Sequence, residues 1–488
     1  MRKEILGAKK KEKSQLGISA EKDDFSEWFT QLMLKADLAD YTDVSGCIVF
    51  KPSSYELWQK IRYIVDEEFK KFGVRNSYFP LFIPEKFLNK EKEHVEGFSP
   101  EVAWVEKAGN TKLNERLAVR PTSETIMYPS FSKWIRSWRD LPLRYNQWNN
   151  VVRWEFKHPI PFFRTREFLW NELHTVLATE KDALAEHELV SRAYKKVAES
   201  CLALYGIKGK KTNREKFAGA VASWKVHYFL SNGKCAEVEA FHYDGQNFSK
   251  AYDIKFLDKD WKEEYGYQNT YAISTRILGV MFAMHSDDKG LIIPPKIALN
   301  SVVIIPILFE DTKEKVLKEA EKLKETLNEF GAFVDDRENY KPGFKFNEWE
   351  MKGIPIRIEI GPKDIEKKSC IVVRRDNFEK KTIGLSTVKA TIERLLEDMQ
   401  KRLYEKSKKR TEEMFEMAEN LEKLKETIKN KKIGIVPLCK EEKCEEILKA
   451  DTEGAKALFI EDSKKVSKDR CVICKKNADY FVCVGKSY

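Results

Sequence analysis

In residues 55–72 the apolar positions Leu57, Ile61, Ile64, Val65, Phe69 and Phe72 recur at helical spacing, which predicts an amphipathic helix. The pattern stops at Gly73, and the apolar and aromatic run 74–82 predicts a strand. Residues 151–156 and 168–177 are two further predicted strands with a proline-containing loop between them, and 277–284 is apolar enough for a helix or a strand. Near Ser301 the pattern changes. Residues 302–308 read as a buried strand, and 313–330 put Val316, Ala320, Leu323, Leu327 and Phe330 on one helical face. Short strands follow at 332–335, 354–360 and 370–374. This alternation of strand and helix predicts a small α/β domain. Residues 386–432 are dominated by charge with interspersed Leu and Met, and predict a helix or helix pair acting mainly as a solvated linker. There is no internal repeat.

The 488 residues are enough for about three domains. With 42% apolar and 34% charged residues the chain is too apolar for disorder. No uncharged apolar run approaches the ~20 residues of a membrane span, so no membrane association is expected. The Lys-rich first residues lack the apolar segment of a secretory signal and read as a basic arm, either a solvated tail or a nucleic-acid contact. The net charge of +10 permits a polyanionic partner without requiring one, because both signs are abundant.

Cys439 and Cys444 have four residues between them, and Cys471 and Cys474 have two. Two short-spaced pairs suit tetrahedral thiolate coordination, with zinc the default metal and a closed, structural role. The remaining cysteines are scattered, which points to a reducing, cytoplasmic setting. There is no GxxxxGK[ST] or GxGxxG phosphate loop. Arg153 and Glu155, two apart on a predicted strand, share a face. After a loop come Arg164 and, four residues on, Phe168. Two guanidiniums, a carboxylate and an aromatic face make either an anion-and-base site or a surface ion-pair network.

Arg-x-Glu, a loop and Arg-x-x-x-Phe together resemble motif 2 of class II aminoacyl-tRNA synthetases. The 55–82 segment resembles motif 1, and Ser274-Thr275-Arg276-Ile277-Leu278-Gly279 resembles motif 3. Further runs narrow the resemblance to the prolyl-tRNA synthetases of the archaeal and eukaryotic type. They include Arg120-Pro121-Thr122-Ser123-Glu124-Thr125, Gly245-Gln246-Asn247-Phe248-Ser249 and Lys341-Pro342-Gly343-Phe344-Lys345-Phe346. The resemblance covers nearly the whole chain.

That resemblance implies an α/β fold with an α+β catalytic domain. A class II antiparallel sheet with flanking helices would be followed by a small α/β anticodon-binding domain and a C-terminal zinc-binding α/β domain. It implies a basic arm over 1–24, a catalytic domain over 25–298, an anticodon domain over 299–400, and a linker with zinc-binding domain over 401–488. Motifs 2 and 3 stand too close for the editing insertion of bacterial relatives. The implied reaction is attachment of proline to tRNA(Pro) through a prolyl-adenylate, with ATP and Mg²⁺ as substrate complex, structural Zn²⁺, and a homodimer built through motif 1.

Carried over by position, Thr122, Glu124, Arg153, Trp170, Glu172, His174, Phe217, His242 and Ser274 would bind proline. Arg153, Glu155, Arg164, Phe168, Gln268 and Arg276 would bind ATP, with Arg153 and Arg276 carrying the catalytic charge neutralisation. Glu350, Arg357 and Lys363 would read the anticodon, and Cys439, Cys444, Cys471 and Cys474 would hold zinc.

Three segments depart from the family pattern. Where the family has Gln and Thr beside ATP, this chain has Glu237 and Ala240, losing a hydroxyl and adding negative charge near phosphates. The usual Thr-rich strand is Val221-Ala222-Ser223-Trp224-Lys225-Val226-His227, and the expected Trp-Gly is Tyr271-Ala272. These changes leave open a diverged paralogue, with altered amino-acid specificity or acting only as a tRNA-binding module.

Overall fold

The structure, a computed structural model, describes residues 17–88, 101–155 and 159–488. The basic arm therefore lies mostly outside the described residues, as do Phe156 and the tip of the loop after it. The chain divides into two compact units, one of residues 41–284 with 398–488 and one of 285–397 with the described part of 1–40.

The larger unit is organised by a sheet of eleven strands among the described residues. Numbered along the chain, these are β1 (Arg75–Asn76), β2 (Leu143–Val152), β3 (Glu167–Leu177), β4 (Ile207–Lys210), β5 (Ala222–Phe229), β6 (Lys234–Gly245) and β7 (Tyr267–Ser274). Then come β8 (Phe415–Met417), β9 (Ile433–Leu438), β10 (Lys456–Ile460) and β11 (Tyr480–Ser487). The order across the sheet is β8-β9-β11-β10-β4-β5-β6-β7-β3-β2-β1. The strands from β2 through β7 to β4 pair antiparallel, and β11 additionally pairs parallel with β6 through Cys235 and Ser487. The C-terminal strands therefore extend the sheet that carries motifs 2 and 3.

Helix α1 (Pro52–Lys70) buries Leu57, Trp58, Ile61, Val65 and Phe69, the stripe that the sequence predicts. Proline in its first turn costs no hydrogen bond. The strand expected over 74–82 is instead two short strands. Arg75–Asn76 joins the main sheet, and Phe82–Pro84 joins a separate three-stranded sheet with Trp104–Ala108 and Thr111–Val119. Pro80 and Pro84 lack the N–H that a continuous ladder requires. β2 ends at Val152, earlier than expected, and 277–284 is helical, as α2 (Arg276–His285).

The smaller unit holds a five-stranded sheet ordered Phe333–Val334, Val302–Pro306, Ile356–Ile360, Ser369–Arg374, Lys380–Gly384. The first three strands pair parallel and the last pairs are antiparallel. Helix Lys313–Thr326 packs Val316, Ala320 and Leu323 inward, as its periodicity predicts.

The helix pair expected over 386–432 is present, but it is not mainly a solvated linker. It folds as helix Val388–Glu412, strand β8 and helix Leu421–Lys429. Ile392, Leu395 and Leu396 join the core of the smaller unit, and Met414 and Leu424 join cores of the larger one. Its Lys and Glu residues occupy the exposed face, so charge density concealed a continuous apolar stripe.

Candidate active site

Strands β3, β5, β6 and β7 form one wall of a cavity of about 360 Å³ in the larger unit, with Arg153 entering from just past the end of β2. It brings together Thr122, Glu124, Arg153, Phe168, Trp170, Glu172, Phe217, His242, Ser274 and Arg276 from the expected set. One row crosses the sheet in register: Glu172 on β3 opposes Ala272 on β7, Ala272 opposes Ala240 on β6, and Ala240 opposes Lys225 on β5. Antiparallel partners share a face, so a carboxylate and an ammonium flank two methyl groups.

The acidic end is buried and tightly bonded. Thr122 donates its hydroxyl to Glu124. Ser123 donates to Glu172 at 2.9 Å, and Asn149 donates to the same oxygen at 3.3 Å. Arg120 braces this turn through Phe79 O at 2.9 Å and Asn150 O at 2.8 Å. His174 contacts Glu172 at 3.2 Å through Nε2, while its Nδ1 lies 3.1 Å from the Tyr128 hydroxyl. Burial disfavours its charge, but the Glu172 bond and the carboxylates of Glu124 and Asp244 outweigh it and raise the imidazole pKa. His174 is thus a wall residue behind the acids and does not line the cavity.

Phe217 closes one side, with its ring 4.6 Å from that of His242. Ser223 accepts from the Phe217 N–H at 3.0 Å and lies 2.8 Å from His242 Nδ1, within reach of its own hydroxyl proton. Burial first, then the charge of Lys225, with smaller contributions from His187, His174 and Arg153, pushes His242 well below the usual histidine range. A neutral ring with its proton on Nε2 fits that network. Ser223 sits in a segment that departs from the family pattern and was missed by sequence reasoning.

The basic end is equally preset. Arg276 donates from Nε to Phe163 O at 2.9 Å and from Nη1 to Glu237 O at 2.6 Å. Burial lowers its pKa, Glu237 opposes that, and the charges of Arg153 and Arg164 add to the lowering. Arg153 donates to Pro121 O at 3.0 Å and lies over the rings of Trp170 and Phe168.

The added negative charge expected at Glu237 is matched within the structure. Its carboxylate bonds Lys211 and Lys225, both at 2.9 Å, and lies 3.3 Å from Lys456. Burial would raise its pKa, yet the three ammonium groups hold it well below the usual range. Lys456 lies on β10, far along the chain, so no local pattern announced this compensation.

Some expected residues do not line the cavity. Glu155 is exposed in the turn after β2, and Arg164 is exposed in the following loop. Gln268 is buried, accepting from Ser249 at 2.6 Å. In the smaller unit, Arg357 donates to Glu350 at 2.5 Å and to Glu359 at 3.0 Å, and packs over Phe346. Lys363 is exposed past the far end of the strand that carries Arg357.

The thiols of Cys439, Cys444, Cys471 and Cys474 lie within 4.8 Å of one another, with Cys439 and Cys474 sulfurs 3.7 Å apart. Four thiolates at the ~2.3 Å zinc–sulfur distance stand about 3.8 Å apart, so the donor set fits zinc. Cys483 is core, as expected.

On the opposite face of β6, Glu239 is buried and accepts from the Tyr228 hydroxyl at 2.8 Å. Burial raises its carboxyl pKa to about 8. The unfolded value is about 4.3, so between these limits the folded chain binds the proton more tightly. Its contribution to stability is greatest below the lower limit and is lost as pH rises towards 8. Glu239→Gln, which keeps the Tyr228 bond, is therefore expected to raise the melting temperature by a few degrees at pH 8 and by less at pH 5. Melts across that range check this, and an equal shift at both pH values contradicts it.

The sheet, the paired arginines and the motif 3 helix match the catalytic architecture of class II aminoacyl-tRNA synthetases, and residues 104–285 match the family model "tRNA synthetase class II core domain (G, H, P, S and T)". Residues 301–395 match "Anticodon binding domain", and 421–488 match "Prolyl-tRNA synthetase, C-terminal". A proline–tRNA ligase of Alkaliphilus oremlandii is 43% identical over 467 residues, covering 95% of this chain and 96% of that protein. The bifunctional glutamate/proline–tRNA ligase of Mus musculus is 40% identical, over 98% of this chain and 33% of its own. The prolyl-tRNA synthetase of Cryptosporidium parvum complexed with L-proline and AMP superposes with a TM-score of 0.92 at 42% identity, covering 99% of each chain. The chain belongs to the prolyl-tRNA synthetase family.

Proposed function

We propose that this chain uses ATP to activate proline as an adenylate and transfers the prolyl group to tRNA(Pro), both steps in the one cavity. The observation that carries the reading is the cavity itself, which is acidic at Glu124 and Glu172 and basic at Arg153 and Arg276. Proline's imino group is a cation and suits the buried carboxylates; its carboxylate and the α-phosphate are anions and suit the guanidiniums. Arg153, between the aromatic wall and Pro121, bridges carboxylate and α-phosphate. Arg276 binds the γ-phosphate, and Phe168 offers its ring to adenine. Trp170 and Phe217 enclose the pyrrolidine ring. No protein nucleophile is needed: the carboxylate attacks the α-phosphorus and pyrophosphate leaves; the terminal ribose hydroxyl of tRNA then attacks the prolyl carbonyl, losing its proton, and AMP leaves. Catalysis is in-line positioning with charge neutralisation. Mg²⁺ enters with ATP and neutralises its phosphates.

The remaining roles follow the same division of labour. Residues 299–400 bind the anticodon, with Arg357 and Glu350 exchanging their mutual bond for contacts to guanine. Residues 401–488 hold structural zinc, and motif 1 supports a homodimer. The segment between β3 and β7 is occupied by helix Glu180–Lys195, strands β4, β5 and β6 of the same sheet, helix Asn247–Tyr252 and a small two-stranded sheet (Lys255–Leu257 with Glu263–Tyr265), which favours a chain without an editing insertion. No helix among the described residues is long and apolar enough to cross a membrane; the free cysteines favour a cytoplasmic setting.

Amino-acid-dependent ATP–pyrophosphate exchange across all twenty amino acids tests the reading. Exchange with proline alone is expected. Exchange with another amino acid, or none from folded protein, would overturn it. For zinc, elemental analysis is expected to find about one metal per chain. Cys471→Ser is expected to destabilise the C-terminal core, read as loss of bound metal and a lower melting temperature. Metal-free protein with an unchanged melt would end the zinc assignment.

A further inference from the structure

We propose that Lys225 is a further substrate-binding residue of this cavity, its ammonium taking a phosphate group of the bound ATP; the proposal rests on the ATP-dependent reading above. Two carboxylates, Glu215 and Glu237, meet three ammonium groups, those of Lys211, Lys225 and Lys456. His227 adds no charge, because burial, reinforced by Lys211, pushes its pKa down to about 3. One positive charge in the cluster is therefore unmatched. Lys211 has only 1% of its side chain exposed, and it is held by Glu237 and by Leu458 O at 2.7 Å. Lys456 bridges Glu237 and Glu215, the latter at 3.0 Å. Lys225 bonds Glu237 alone among these groups, keeps 32% of its side chain exposed and lines the cavity. The surplus charge is thus presented to the ligand at Lys225.

The register shows what lies in front of it. Lys225 opposes Ala240, Ala240 opposes Ala272, and Ala272 opposes Glu172. Neither methyl group can shield or neutralise the ammonium. Neighbouring strands are about 4.8 Å apart, so cation and acid are separated by three such steps, before the reach of each side chain. A ligand with a cationic end at Glu172 and a phosphate beyond its carboxylate lies across the two alanines. Arg153 and Arg276 hold its anionic groups from the strand ends, and Lys225 holds them from the β5 side. The segment 221–227 thereby supplies a charge opposite the position where the hydroxyl is lost.

The test is calorimetric titration with AMPPNP and Mg²⁺, which reads binding whether or not the chain activates proline. Lys225→Met is expected to weaken AMPPNP about tenfold while proline binding stays within about twofold, and Lys225→Arg to restore most of the affinity. The fold is expected to survive, because two lysines still face two glutamates. A structural role would act only by neutralising Glu237, so the double variant Lys225→Met, Glu237→Gln would regain wild-type affinity. The proposal expects the double variant to remain weak. Unchanged AMPPNP affinity in Lys225→Met overturns it, as does an equal loss for proline or recovery in the double variant. Loss confined to transfer of proline to tRNA would place the phosphate on the tRNA end and also overturn it. Failure of proline exchange in the wild-type chain, with AMPPNP binding intact, sinks the functional reading and leaves this comparison decisive.

Discussion

Arg276→Ala is expected to lower proline-dependent pyrophosphate exchange by roughly a thousandfold or more, while tRNA binding stays within about twofold. Two features of the site set this scale. The guanidinium is already fixed by Phe163 O and Glu237 O before any ligand arrives, so its charge acts on the phosphates without reorganisation. It is also part-buried, and charge–charge interactions strengthen as water is excluded. Removing it leaves two inward-facing carbonyls without their donor and an anionic transition state without a counter-charge. Arg276→Lys restores the charge but not the fork that spans both carbonyls, and so is expected to recover only part of the rate. Comparable loss of exchange and tRNA binding would contradict the assigned role, and an unchanged melting temperature would show that the loss is local.

Glu124→Gln is expected to cut kcat/KM for proline by roughly a hundredfold or more, mainly through KM, with KM for ATP within about threefold. Glu124 is 2% exposed and accepts from Thr122, so its charge is buried and oriented. The amide keeps the volume and one acceptor but loses the charge that compensates an imino cation. Removing one partner of a buried pair costs about 3–5 kcal/mol, and the neighbouring Glu172 offsets part of it. Steady-state exchange kinetics with each substrate varied separately check the prediction. A rise confined to KM for ATP would move Glu124 out of the proline end.

The helix 52–70, β3 and most of the smaller unit were legible because each has a strong one-dimensional pattern, whereas the uniformly apolar 277–284 fitted helix and strand alike until packing decided it. The single strand expected over 74–82 failed because Pro80 interrupts it and its two ends join different sheets. The helix pair over 386–432 was legible, but its role in the cores was not, because its buried stripe is carried by widely spaced Leu, Ile and Met among many lysines, and only packing shows how much of it is inside. Within the site, the Thr122–Glu124 run and the two motif arginines could be read from local spacing. Ser123, Ser223 and Lys225 could not: Ser223 and Lys225 meet His242 and Glu237 through the pairing of β5 with β6, and Ser123 meets Glu172 because the start of helix Glu124–Trp134 packs against β3.

The sequence by itself determined the family, the reaction class and the residue types at both ends of the cavity, because those depend on short runs whose chemistry is carried by identity and spacing. Only the tertiary structure decided whether Glu237 spoils a phosphate site. That depends on the sum of charges within a few ångströms, and three of them come from β5, from the loop after β4 and from β10 near the C-terminus. Electrostatic energy depends on distance in space and on burial, and neither quantity is written along the chain.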